Sequence, residues 1–192
     1  MTLKLPAACI FVSAVLALSA CTPPRVPPLP QTVRRIAVLP PYRPGWTDAD
    51  SVASSALAGL PSRTIGDLLA DKARIRLTEK GFEVISSSTI KLAAKNRVPT
   101  SPELAAQILT EANLDAAALY IEVRRWEPTP DSRGMKADGV IVALDATIID
   151  PKTGAVLWQV HRPSRPVPVY GVVLTGQANV IVAETVMREI FP

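Results

Sequence analysis

The stretch from Asp138 to His161 constrains the fold more than any other part of this chain. Val140, Val142, Leu144, Ala146 and Ile148 recur at every second position, so on an extended backbone they share one wholly apolar face. Asp150-Pro151-Lys152-Thr153-Gly154 then offers proline at the second turn position and a glycine able to take positive φ. Val156, Trp158 and Val160 resume the alternation between Ala155 and His161. Two strands joined through so tight a turn are antiparallel neighbours.

The elements before this hairpin alternate in type. Arg34 to Pro41 is a short apolar run with a β-branched bias, stopped by two prolines, and predicts a first strand buried on both faces. A helix opening at Pro61-Ser62, with Ser62 as N-cap, carries Ile65, Leu68, Leu69, Ala73 and Leu77 at helical spacing and ends at Gly81. Phe82 to Ser86 predicts the second strand, and the serines at 86 to 88 cap a short helix over 89–95. Ser101-Pro102 starts the next helix, with proline where its missing N–H costs nothing, and Asn113 ends it. Ala116 to Trp126 is a third strand, in which Tyr120, Glu122 and Arg124 alternate with Ile121, Val123 and Arg125. After the hairpin, 167–174 reads as a short sixth strand or an irregular connection. Thr175 to Phe191 closes the chain as a helix with Ala178, Ile181, Val182, Val186 and Ile190 on its apolar face. The expectation is one α/β domain over 34–192: a mixed, three-layer-like sheet with a parallel βαβ start, an antiparallel meander and a C-terminal helix.

The first 33 residues have a different character. Lys4 precedes an apolar run from Ala7 to Leu18, which is about a dozen residues, as in a secretory signal. A bilayer-spanning helix needs about 20. Leu18-Ser19-Ala20-Cys21 resembles the lipobox of bacterial lipoproteins. That resemblance implies cleavage between Ala20 and Cys21, lipidation of Cys21 and removal of 1–20. Thr22 rather than aspartate follows, which in enterobacterial lipoproteins favours the outer membrane. Cys9 leaves with the signal, so no cysteine remains for a disulfide or a metal thiolate. The roughly 170 residues after the cleavage site are enough for a core without staples. Residues 21–33 hold five prolines in a stiff tether reaching at most about 35 Å.

Charge and motifs argue against several classes. The net charge of +4 is dispersed and aromatics make up 5%, which does not fit a nucleic-acid surface. No phosphate-loop or dinucleotide fingerprint occurs. His161 is the only histidine, so a triad or a zinc site would have to use it, and no partner motif accompanies it. Asp48 and Asp50 read as loop solvation rather than a pair of catalytic acids. Neither cofactor nor metal is expected, and no catalytic residue is assigned.

Four stretches carry a family resemblance in order: Arg35 to Pro41, Lys80 to Ile85, Asn113 to Ile121, and Ile149 to Trp158. Behind a lipobox they resemble the envelope group that includes CsgG, LpoB and the N-terminal domain of TolB, together with small lipoproteins that accompany ABC transporters. The resemblance implies a non-enzymatic outer-membrane lipoprotein, periplasm-facing, serving as an accessory, assembly or activator subunit of an envelope complex. The alternative is a transporter auxiliary that handles lipid or another apolar solute. A CsgG-type pore is not expected, because 127–137 is short, polar and interrupted by two prolines. Partners would be the membrane, envelope proteins and, as an open option, further copies of the chain. The meander gathers Arg124, Arg125, Trp126, Arg133, Arg162 and Arg165 toward one end of the sheet, a mixture that protein interfaces favour.

Overall fold

The computed structural model describes residues 26–45, 64–95, 97–129, 139–169 and 175–192. The element order is β1 (Arg35–Val38), α1 (Ile65–Glu79), β2 (Glu83–Val84), α2 (Ser87–Ala94), α3 (Pro102–Glu111), β3 (Ala117–Pro128), β4 (Gly139–Ile149), β5 (Val156–Pro168) and α4 (Thr175–Ile190). They form one sheet in the order β2-β1-β3-β4-β5. β1 runs parallel to β2 and β3, while β3, β4 and β5 are an antiparallel meander. The mixed α/β architecture matches the pattern of the sequence.

Helices cover both faces. On one, α1 and α4 pack over Ile36, Val38, Leu119, Ile121 and the even-numbered residues from Val140 to Ile148. On the other, α2 and α3 cover Ala37, Leu39, Ala118, Tyr120 and Ile149. Ile36, Ala37 and Val38 of β1 are all apolar and fully buried because the strand is central and clothed on both sides. α2 and α3 cover chiefly the β1–β3 part of their face and the end of β4 at Ile149, leaving Asp145 and Thr147 of β4 beyond them.

Local signals are satisfied largely where the residues predict. Ser86 and Ser101 cap α2 and α3 through hydrogen bonds from the N–H groups of Thr89 and Leu104. Gly81 and Asn113 take positive φ after their helices. In the β4–β5 turn, Asp150 accepts from the Lys152 N–H at 3.0 Å and from the Thr153 hydroxyl at 2.8 Å. These bonds hold its carboxyl below the usual range.

Several elements differ from expectation. The cap of α1 is Thr64, not Ser62, which lies outside the described residues. Thr64 and Asp67 form a reciprocal capping box. β2 shrinks to two residues, because only an edge position on β1 is open to it. β5 runs on to Pro168, absorbing the start of the expected sixth strand. Pro163, Pro166 and Pro168 are tolerated there because β5 is an edge strand and Pro163 falls in its bulge. In α4, Ile181 is 42% exposed, and Ala183 and Met187 take the buried positions instead.

The tether is not a free spacer throughout. Val26, Leu29 and Val33 pack against the core cluster that includes Trp158 and Phe191. The Trp158 indole N–H donates to the Pro27 carbonyl at 2.9 Å. Trp158 also stacks on Phe191, with ring centroids 5.5 Å apart. An aromatic body with a donor at its edge suits this place, where an apolar shelf meets proline-rich backbone with unused carbonyls. Ala20 and Cys21, the expected cleavage and lipidation positions, lie outside the described residues.

Candidate partner interface

The end of the sheet where β3 finishes and β4 begins was expected to gather the basic rim. Irregular register decides what it presents. Between Val123 and Arg125, β3 holds one residue more than β4, and the extra residue is Arg124. This bulge shifts the phase of the strand. Arg124 and Arg125 are both exposed in succession, and Trp126 turns inward to 6% exposure. Without the bulge, strict alternation would place the Arg125 guanidinium in the core and the indole in solvent. The Trp126 N–H donates to the Asn179 side-chain oxygen on α4 at 3.3 Å. A second bulge in β5, between Arg162 and Arg165, puts both on the α4 side of the sheet, opposite Leu144 and Val142, with Arg162 buried and Arg165 exposed.

The expected rim therefore splits. Trp126 and Arg162 belong to the interior, a correction to the surface role that their sequence position implies. Arg162 is 3% exposed. Its Nε donates to Glu189 at 2.7 Å and its Nη1 to the Val142 carbonyl, while Nη2 has no partner among the described residues. Arg165 donates to the same Glu189 carboxylate at 2.7 Å but is half exposed. Burial pushes the Glu189 carboxyl up, yet the two guanidiniums outweigh it and hold the group below its ordinary range. Arg125 reaches Glu127 at 2.9 Å and the Ser164 hydroxyl at 3.4 Å. Arg124 lies over the opposite face, paired with Asp145. Arg133 lies outside the described residues. The solvent side of this end thus carries Arg124, Arg125 and Arg165.

The face that α2 and α3 leave open holds a row that sequence reasoning missed. Tyr42 bridges to Glu122, Glu122 pairs with Asp145, and Asp145 pairs with His161 across three strands. The His161 Nδ1 and an Asp145 oxygen are 2.5 Å apart. Asp145 is 8% exposed beneath Arg124 and His161. One row further along, burial is the main cause that raises the Tyr120 hydroxyl pKa, with Glu122 and Asp145 adding to it. The signal was present: Asp145 is the only charged residue in the apolar strand β4. His161 thus has an acidic partner that the linear sequence separates by 16 positions. Its hydrogen bonds among the described residues run to Asp145, not to a hydroxyl or thiol nucleophile. No cluster of three or more histidine, cysteine, aspartate or glutamate side chains suited to a metal occurs among the described residues. The arrangement positions a cation and an imidazole over one shielded carboxylate.

No protein-family model matches the chain, and no curated protein matches it. Solved structures do share its outline. The PelC dodecamer from Paraburkholderia phytofirmans is 15% identical with a TM-score of 0.49, over 86% of this chain and 89% of that one. Lipoprotein GNA1162 from Neisseria meningitidis is 21% identical with a TM-score of 0.45, over 81% and 96%. The LpoB C-terminal domain from Salmonella enterica is 12% identical with a TM-score of 0.41, over 71% and 83%. LpoB is one of the group that the order of sequence motifs resembles. At these identities the likeness concerns the general course of the chain.

Proposed function

We propose that this chain is a lipid-anchored, non-enzymatic accessory subunit of a bacterial cell-envelope complex. It is held through Cys21 on the periplasmic side of the outer membrane, and it engages a protein partner through Arg124, Arg125 and Arg165. The observation that carries this reading is the Leu18-Ser19-Ala20-Cys21 lipobox, followed by a proline-rich segment that binds back onto the domain at Trp158. A body fixed so near its anchor works on partners in or on that same membrane. Exposed arginines beside a rigid sheet end suit such a partner, because guanidiniums recognise carboxylates bidentately at little cost in ordering. The ion pairs of Arg125 with Glu127 and of Arg165 with Glu189 are partly exposed, so exchanging those two for a partner's acids costs little.

The test has two parts. Labelled palmitate should enter the wild-type chain and not the Cys21→Ser variant, which should leave the outer-membrane fraction. A photo-crosslinking residue at Arg125 or Arg165 should capture a discrete envelope protein or another copy of the chain, while the same residue at Leu92 should not. Labelling independent of Cys21, or identical adducts at all three positions, would sink the reading.

A further inference from the structure

Scattered apolar side chains on a surface are ordinary. The pair at the start of β5 differs because of where it lies. Val156 is 57% exposed and Leu157 37% exposed. The register places Val156 beside Ile149 at the end of β4, level with the starts of β1 and β3. Two residues along β5, Trp158 holds the Pro27 carbonyl. Val26, the first described residue, precedes Pro27 directly and packs against the same core cluster as Trp158. Only five steps of chain separate it from Cys21, at most about 17 Å even when fully extended. The opposite end of the sheet, where Gly139 pairs with Pro168, lies ten residues away along β4, or about 33 Å.

The polar chemistry around the pair is mixed in sign, with Arg34, Arg35 and Lys152 beside Asp115 and Asp150, which suits a zwitterionic headgroup layer of phosphates and ammoniums. An open cleft of about 530 Å³ is lined by Thr32, Arg34, Asp115, Asp150, Lys152 and Leu157. Arg34 is exposed, and the side chain of Lys152, 74% exposed, meets Asp115 at 2.7 Å. Cations on flexible stems surrounding a small apolar patch are what an interfacial surface needs: the patch enters the acyl boundary and the cations meet phosphates.

We propose that the sheet end bearing the β4–β5 turn is the lipid-facing end of the domain, with Val156 and Leu157 seated at the headgroup boundary and Arg34 and Lys152 beside lipid phosphates. The occupant is the bilayer that holds the anchor, and the inference rests on the reading of Cys21 as the attachment point. The orientation leaves Arg125 and Arg165 pointing away from the membrane, toward a partner. A docked tether makes it durable, because the domain cannot pivot freely about a long spacer.

The mature chain beginning at Cys21 has a single thiol, so it can be coupled chemically to a maleimide phospholipid. It would be placed in nanodiscs of phosphatidylethanolamine and phosphatidylglycerol carrying a headgroup nitroxide, and its amide signals recorded. Loss of signal at Arg34, Arg35 and Lys152 to Leu157, with signals kept at Trp126 to Thr129, Gly139 and Val140, is expected. Loss at the far end, or evenly over the domain, would overturn the orientation. The V156S/L157S variant should retain its melting temperature and regain part of the lost signal. Unchanged signal loss would remove the pair from the contact, and conversion of a dimer to a monomer by this variant would assign the patch to a second copy instead. Because attachment here is chemical, failure of palmitate labelling in cells would refute the lipobox while leaving this result standing. The reverse outcome would refute the orientation alone.

Discussion

Glu189→Gln removes the carboxylate that faces the buried Arg162 guanidinium and leaves the shape of the site intact. Arg162 is 3% exposed and its Nε lies 2.7 Å from the Glu189 oxygen. Breaking a buried pair by deleting one partner costs about 3–5 kcal/mol, because the remaining charge stays desolvated. The Glu189 side chain is 34% exposed, so water screens part of this, and about 2–3 kcal/mol is the expected loss. At about 2–4 °C per kcal/mol for a chain of this size, the melting temperature should fall by about 4–12 °C at pH 7. Adding Arg162→Met should recover most of the loss, since it removes the stranded charge and fills the same volume with apolar atoms. The pH dependence follows from the Glu189 carboxyl, which in the folded chain lies below its ordinary range. A carboxyl with a depressed folded pKa contributes stability that is full above its unfolded value of about 4.3 and is lost as pH falls through the folded value. The gap between wild type and Glu189→Gln should therefore narrow below about pH 4. Circular-dichroism melts from pH 7 to pH 3 measure both effects. A variant that melts within about one degree of wild type at pH 7 would refute the assignment of Arg162 as a buried cation dependent on Glu189.

Gly139→Ala should be strongly destabilising, because an added Cβ would lie 2.4 Å from the Val167 carbonyl oxygen. Separating the β4 and β5 backbones there should cost at least about 1–3 kcal/mol, read by urea unfolding. Trp158→Phe keeps the stack on Phe191 but loses the donor to Pro27. Amide exchange at Val26, Leu29 and Val33 should accelerate, for about 1 kcal/mol of global stability. Thr64→Ala dissolves the capping box of α1 and should lower stability by about 1 kcal/mol in the same unfolding assay.

Most of the architecture was legible because it follows from local rules. The alternation in β4, the Asp150–Gly154 turn and the serine caps of α2 and α3 each depend on residues within a few positions of one another. The shared expectation of a parallel start and an antiparallel meander follows from connection length alone. The candidate interface was legible only in composition. The register divides its residues between the two faces of the sheet, Trp126, Arg162 and Arg165 on the α4 side and Arg124 beside Asp145 on the other, and alternation cannot say which of them are exposed. Two bulges settle that, and a bulge is a register mismatch between strands, not a property of either strand by itself. The Asp145–His161 contact was hidden for the same reason: one lone acid in an apolar run acquires meaning only when its neighbour across the sheet is known.

By itself the sequence determined the element types and their order, because each is written in short-range periodicity or in capping and turn residues. Tertiary structure alone decided that Trp126 and Arg162 are core residues, that Val26 to Val33 binds back onto the domain, and that the β4–β5 turn shares an end of the sheet with the emerging tether. These are pairings between residues 27 and 158, or 162 and 189, fixed by which surfaces remain apolar once the sheet is covered, and no local pattern encodes them.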